Sequence, residues 1–275
     1  MTTFDAFGYR GKRVLVVGGA SGMGAATVEV ARDAGAEVVA MDFAAITAQG
    51  VTAVPVNLAN TNSIDGALDE LGGPIDVLFS CAGVADGTPG IEKINFLGHR
   101  YLIERLLDRN WLERGSAIGF ISSAAGLGWQ ASLPLLHEYL DISDVDEASA
   151  WAHAQGKADY YWSKQAVCAY VAREAMSLLT RGIRINAICP GPTDTPLARA
   201  NADTWLGFGA DYRAEVGVEA STALEQAYPL VFLCSDAASA ITGTTVISDA
   251  GFLAAAVTER FPSATPIANF LLGRS

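Results

Sequence analysis

Basic residues are scarce in this chain: 18 Lys and Arg stand against 30 Asp and Glu, for a formal net charge of −12 over 275 residues. Nucleic acids and anionic membrane surfaces demand basic patches, so neither is expected as a partner. Cysteine is sparse too. Cys81, Cys168, Cys189 and Cys234 are scattered, with no CxxC pair and no histidine at ligand spacing. That excludes the common zinc patterns and suits buried thiols in a reducing compartment, with no metal expected. No apolar run approaches the roughly 20 residues that span a bilayer. The start, MTTFDAFGYRGKR, carries an acid and lacks an apolar core, so it is not expected to be a signal peptide. A cytoplasmic location follows as the expectation. No repeat, low-complexity tract or Pro/Ser-rich linker divides the chain. Hydrophobic residues make up 51% and charged ones 17%, a globular composition with ample length for a core.

What is present is an alternation of short apolar runs with longer amphipathic stretches. The runs Arg13 to Val17, Glu37 to Met41, Thr52 to Val56, Ile75 to Ser80, Ser116 to Ile121, Gly182 to Ile188 and Thr244 to Ile247 read as strands. Helices are expected after the first glycines up to Gly35, over Ser63 to Leu71, Ile91 to Arg109, from Tyr160 onward, and over about Thr222 to Leu233. Continuous apolar strands separated by helices predict a parallel sheet covered on both faces. The expected fold is one doubly wound α/β domain over residues 1–275, with seven parallel strands.

Two local patterns carry chemistry. The first strand opens into Gly18-Gly19-Ala20-Ser21-Gly22-Met23-Gly24 and then a helix. Glycines there allow a tight turn and let backbone N–H groups approach a pyrophosphate, although a plain tight turn reads the same way. Asp42, eighteen positions beyond Gly24, ends the second strand, where a carboxylate accepts hydrogen bonds from a ribose and repels a 2′-phosphate. It could also be an ordinary turn acid. With no Arg or Lys close by, NAD is favoured over NADP. The second pattern is Tyr160 and Lys164. Tyr160 alone among the tyrosines has a lysine at i+4, and on a helix those positions share a face. A nearby cation favours the phenolate of a group whose ordinary pKa is about 10. Two unrelated surface neighbours would give the same spacing. Tyr161 cannot substitute, because its i+4 residue is Gln165.

In order along the chain, these and further motifs resemble the classical short-chain dehydrogenase/reductase family, a Rossmann fold. Gly18, Gly22 and Gly24 match its G-x-x-x-G-x-G turn, with Val17 where the family usually has Thr. Cys81-Ala82-Gly83 stands for its N-A-G turn, and Asn57 followed by Leu58 for the Asp that usually contacts adenine. Ile94-Asn95-Phe96-Leu97-Gly98 resembles the helix-four motif, and Ile121-Ser122-Ser123-Ala124-Ala125-Gly126 the S-x-x-G strand end. The spacing to Gly126 favours Ser123 over Ser122. Asn186 to Gly191, with Thr195, resembles the P-G motif that holds the nicotinamide carboxamide, and Asp249-Ala250-Gly251 the terminal D-G-G. The resemblance implies a catalytic set of Asn95, Ser123, Tyr160 and Lys164. It implies NAD contacts from Gly18, Ser21, Gly22, Met23, Gly24, Asp42, Asn57, Leu58, Cys81, Ala82, Gly83, Tyr160, Lys164, Pro190, Gly191, Thr193 and Thr195. Tyr160 would be the general acid/base, its pKa lowered by Lys164; Ser123 would stabilise the substrate oxygen, and Asn95 would hold a relay water. The implied activity is interconversion of an alcohol and its carbonyl. A non-catalytic NAD-binding sensor or scaffold on the same fold is the alternative, against which all four catalytic positions stand intact.

Ser123 and Tyr160 are 37 positions apart, farther than is usual in that family. The excess, residues 129–158, is expected to be ordered, to wall one side of the substrate pocket, and to obstruct the four-helix association of classical members. A homodimer through the last helix and strand, or else a homotetramer, is the expected assembly. The insertion resembles the subgroup of 3α-hydroxysteroid dehydrogenase/carbonyl reductase and coniferyl-alcohol dehydrogenase, which implies a bulky apolar or aromatic substrate. Residues 197–220, with Trp205, Phe208 and Tyr212, are expected to form a substrate lid. The tail 252–275 would cover a partner's pocket or pack on its own subunit.

Overall fold

The computed structural model describes residues 2–274. Its strands are β1 (Arg13–Val17), β2 (Glu37–Asp42), β3 (Thr52–Pro55), β4 (Ile75–Ser80), β5 (Leu112–Ile121), β6 (Arg184–Pro190), β7 (Thr193–Asp194), β8 (Ser221–Thr222) and β9 (Thr245–Ser248). Seven of them form one sheet in the order β3-β2-β1-β4-β5-β6-β9, every neighbouring pair parallel. β7 and β8 pair separately. The helices are α1 (Gly22–Asp33), α2 (Thr61–Leu71), α3 (Gly98–Asp108), α4 (Leu133–Asp141), α5 (Val145–Ala154), α6 (Tyr160–Thr180), α7 (Pro196–Arg199), α8 (Ala202–Trp205), α9 (Ala210–Val216), α10 (Ala223–Cys234), α11 (Phe252–Val257) and α12 (Thr265–Leu271).

Strand β1 explains the two-layered core. Successive side chains point to opposite faces, so Leu15 and Val17 join one buried cluster with residues of α2, α3 and α6. Val14 and Val16 join a second cluster with residues of α1 and α10. Both faces are covered from Val14 to Val17, which is why those four residues include no polar one. The chain leaves β1 for β2 on one side and returns to β4 on the other. That reversal of strand order opens a crevice at the carboxyl ends of β1 and β4, the place where open α/β sheets bind ligands.

The expected helix from Ile91 is interrupted. Residues Lys93–Leu97 form a wider π-type turn before α3 begins at Gly98. A side chain on Gly98 would run into the Leu58 carbonyl, so only glycine lets α3 approach that loop. Strand β5 begins four residues earlier than expected, where Leu112 pairs with Ile75 across a register shift. The short β7–β8 pair had no signature, because two residues are too few for any periodicity.

The insertion is ordered and consists of α4 and α5. Tyr139 and Trp151 stack at 5.3 Å, and both lie against Trp162 of α6, at 5.9 and 6.0 Å. Polar links tie it to the turn that carries Asn95: Ser149 donates to the buried Glu92 carboxylate at 2.6 Å, and Lys93 pairs with Asp146 at 2.6 Å. Helices α11 and α12 join Tyr212 of α9 in a third apolar cluster.

Candidate active site

The crevice at the strand ends is a cleft of about 470 Å³. Of the residues expected to touch a dinucleotide, Gly18, Ser21, Gly22, Met23, Gly24, Asp42, Asn57, Leu58, Cys81, Ala82, Gly83 and Thr195 line it. Tyr160, Lys164, Pro190, Gly191 and Thr193 lie outside that lining, and so does every residue of 129–158. Phe43, Val84, Thr88, Pro89 and Pro196 line it without having been anticipated, and Leu197, the first residue of the expected lid, joins them. Only Phe43 offered a signal, as a large apolar residue in a strand-end turn; it is 83% exposed.

The glycines are needed for backbone approach. A Cβ on Gly18 would strike the Ala82 backbone, and one on Gly24 would overlap the Gly18 carbonyl. The amides of Cys81 and Ala82 both donate to the Val17 carbonyl, at 2.8 and 2.9 Å, which locks the turn after β4 against the turn after β1. These contacts leave a cradle of bare backbone that side chains would fill, which fits a pyrophosphate at the start of α1. Asp42 accepts from the Ala20 amide and the Ala44 amide, both at 2.9 Å. Its carboxylate is thereby fixed at one end of the cleft, and no Arg or Lys lies among the described lining residues.

Beside Gly83, just outside that lining, stand α6 and the end of β5. Asp159 caps α6 by accepting the Trp162 amide at 2.7 Å, and Asp86 accepts the Tyr160 amide at 2.7 Å. Tyr160 is thus the first helical residue, held from both sides. Ser122 and Ser123 part company here. The Ser122 hydroxyl is buried and donates to the Lys164 carbonyl at 2.9 Å, joining β5 to α6. A Cβ on Gly126 would crowd that contact within 2.6 Å of the Ser122 hydroxyl, which is the packing reason for glycine there. Ser123 instead accepts the Ala125 amide at 3.2 Å and acts on the Tyr160 phenol through a side-chain hydrogen bond.

Burial governs both titrating groups. Tyr160 is only partly buried, yet its surroundings desolvate the phenol and push its pKa up to about 12, while the Ser123 hydroxyl pulls it down. Desolvation pushes Lys164 down to about 8. The ammonium is buried, donates to the Ile121 carbonyl at 3.1 Å, and stands 5.5 Å from the centre of the Tyr160 ring. The lowering of the phenol expected from Lys164 therefore comes from Ser123 in this geometry, because Lys164 is turned toward the β5 backbone. Asn95 uses its whole amide: Oδ1 accepts from the Val84 amide at 2.7 Å, and Nδ2 donates to the Val84 carbonyl at 3.1 Å and to the Ser163 hydroxyl at 3.2 Å. It ties the turn after β4 to the start of α6. Thr193 donates to the Gly191 carbonyl at 3.0 Å, and Thr195 caps α7 by accepting the Ala198 amide at 3.2 Å.

One buried residue was missed. His99, on α3, reaches the Ala82 carbonyl through Nε2 at 3.1 Å, behind the cleft wall. A lone histidine in an amphipathic helix gives no sequence signal for that role.

Residues 18–253 match a family model described as Enoyl-(Acyl carrier protein) reductase. The chain is 30% identical over 248 residues to coniferyl-alcohol dehydrogenase of Pseudomonas sp. (strain HR199), covering 87% of this chain and 96% of that protein. It is 28% identical over 247 residues to 3-alpha-hydroxysteroid dehydrogenase/carbonyl reductase of Comamonas testosteroni, covering 86% and 95%. Its fold superposes on the crystal structure of the 3-alpha-hydroxysteroid dehydrogenase from Pseudomonas sp. B-0831 complexed with NADH, with a TM-score of 0.72 at 27% identity, covering 90% and 99% of the two chains.

Proposed function

The chain belongs to the short-chain dehydrogenase/reductase family, and from that premise we propose that it is an NAD-dependent dehydrogenase interconverting a bulky, ring-bearing alcohol and its carbonyl. The observation that carries this reading is that Lys164, 5.5 Å from the centre of the Tyr160 ring on which Ser123 also acts, borders Gly83 of a cleft whose lining presents Asp42. A carboxylate there suits a free ribose 2′-hydroxyl and repels a 2′-phosphate, hence NAD. Names of the relatives support the substrate class, since a coniferyl alcohol and a hydroxysteroid both carry rings.

A bound nicotinamide would supply the hydride acceptor for the carbinol carbon, or the donor in reverse. Everything else falls to this chain. Tyr160 takes the hydroxyl proton in oxidation and returns it in reduction. With its pKa near 12, the phenol is a ready donor at neutral pH. Its work as a base depends on Ser123, the group that lowers its pKa in this geometry. Ser123 accepts the Ala125 amide, and its single hydrogen, which otherwise favours the Tyr160 phenolate, turns to the substrate oxygen when substrate binds. Asn95 braces the Gly83–Val84 turn beside Lys164.

The assembly proposed is a dimer through α10 and β9. Leu224, Tyr228 and Phe232 form an exposed apolar stripe at i, i+4 and i+8 on α10, and Ile247 is exposed on the sheet's edge strand. Helix α4 meanwhile packs on α6, and α5 on the Asn95 turn, where a four-helix association would form.

The test is reduction of NAD, with NADP as control, over steroid, terpene and aryl alcohols. Tyr160→Phe is expected to lose about 100-fold or more in kcat while still binding NADH. Near-wild-type turnover by that variant would remove the assignment.

A further inference from the structure

The lid places a ring directly on the proposed acid/base. Trp205, the last residue of α8, sets its indole 5.0 Å from the Tyr160 ring, centroid to centroid, at 46°. Among the described residues it is the one aromatic side chain in ring contact with Tyr160. Trp205 is also firmly held. Upstream, Pro196 and Leu197 line the cofactor cleft, and Asn201 donates to the Leu197 carbonyl at 2.9 Å and accepts the Trp205 amide through its own carbonyl at 2.9 Å. Downstream, Arg213 donates to the carbonyls of Leu206 and Phe208, at 2.5 and 2.7 Å. Phe208 and Tyr212 then rest on Phe252 of α11, at 5.0 and 5.6 Å. The tail is therefore the anchor of the lid, and the lid carries the indole from the cofactor cleft to Tyr160.

We propose that Trp205 is a specificity-determining residue: its indole is the wall against which the ring of a cyclic or aryl carbinol lies. The inference rests on Tyr160 being the acid/base. A substrate whose hydroxyl reaches the Tyr160 oxygen must enter beside the indole, so Trp205 exchanges part of its contact with the phenol for contact with the substrate. A ring replaces that contact in kind, at the centroid separations of about 4.5–7 Å that aromatic pairs adopt. An open chain offers a smaller and more mobile surface, and loses more rotamer freedom on binding. Selection thus resides in the lid residue that touches Tyr160, while α4 and α5 sit behind α6.

The experiment compares kcat/KM for 1-phenylethanol and 2-butanol in the wild type, Trp205→Phe and Trp205→Leu. It also measures the Kd of acetophenone by quenching of NADH emission. The preference for the aryl alcohol is expected to fall about tenfold in Trp205→Leu, the ratio that about 1.4 kcal/mol of ring contact represents. Acetophenone Kd should rise by a similar factor, and Trp205→Phe should recover most of both. A preference ratio unchanged in the folded Leu variant, or equal losses on both alcohols, overturns the assignment. Tyr160→Phe separates the two readings. If it stays active, the acid/base assignment fails. If it is dead while the Trp205→Leu ratio is unchanged, only the role of Trp205 fails.

Discussion

His99 should make this protein lose stability in mild acid, by an amount the structure sets. The imidazole is 1% exposed, lies edge-on to Phe120 at 5.8 Å, and meets the Ala82 carbonyl at 3.1 Å, while Nδ1 is buried without a partner among the described residues. Desolvation pushes its pKa down from 6.5 to about 4; the bond to Ala82 opposes that, and the Lys164 ammonium adds to it. Below pH 6.5 the unfolded chain takes up a proton that the folded chain refuses until about pH 4. The unfolded state binds more protons across that window, so stability present above it is lost as pH falls through it. The slope approaches 1.4 kcal/mol per pH unit, and the loss totals about 3 kcal/mol. His99→Gln keeps a side-chain N–H for the Ala82 carbonyl but cannot titrate. Urea unfolding of both proteins at pH 7, 6, 5 and 4 isolates the effect, since the carboxylates cancel in the difference. The wild type should lose about 3 kcal/mol more than the variant between pH 7 and 4. Parallel curves would refute the reasoning.

Other outcomes follow from the same geometry. Gly24→Ala forces a Cβ onto the Gly18 carbonyl, an overpacking of about 1–3 kcal/mol, and NADH titration should read a weakened Kd. Gly22→Ala has room beside Thr195 and bears only its positive φ of 56°, about 1–2 kcal/mol, so it should bind NADH better than Gly24→Ala. The reverse order would contradict this account of the turn. Lys164→Met removes a buried ammonium whose charge is disfavoured, so the variant should melt higher than the wild type at pH 7 and yet lose turnover. A lower melting temperature would mean that the bond to Ile121 outweighs desolvation. Tyr228→Glu, in the centre of the α10 stripe, should yield monomers by sedimentation if that face is the dimer interface; an unchanged assembly would point to another surface.

The site was legible in sequence wherever a motif combined residue type with a fixed offset along one element. The glycines after β1, the Ser123–Gly126 spacing and the Tyr160–Lys164 repeat are of that kind, because strand ends and helix turns convert offsets into positions. The environments those residues meet were not legible. Burial reaches Tyr160 and Lys164 from β4, β5, β6 and the loops between them, and it reverses the expected lowering of the phenol. The Lys93–Leu97 turn depends on Gly98 meeting Leu58, forty positions away.

By itself, the sequence determined the seven apolar strands, their parallel pairing through helical crossovers, and which side chains end beside the crevice, since these follow from periodicity and local backbone demands. Only the tertiary structure decided that Ser122 locks α6 while Ser123 faces the phenol, that the insertion backs α6 and the Asn95 turn, and that Trp205 rests on Tyr160. Each of those depends on contacts between segments far apart in the chain. No short-range pattern encodes such a contact, because its energy exists only once the core has brought both partners together.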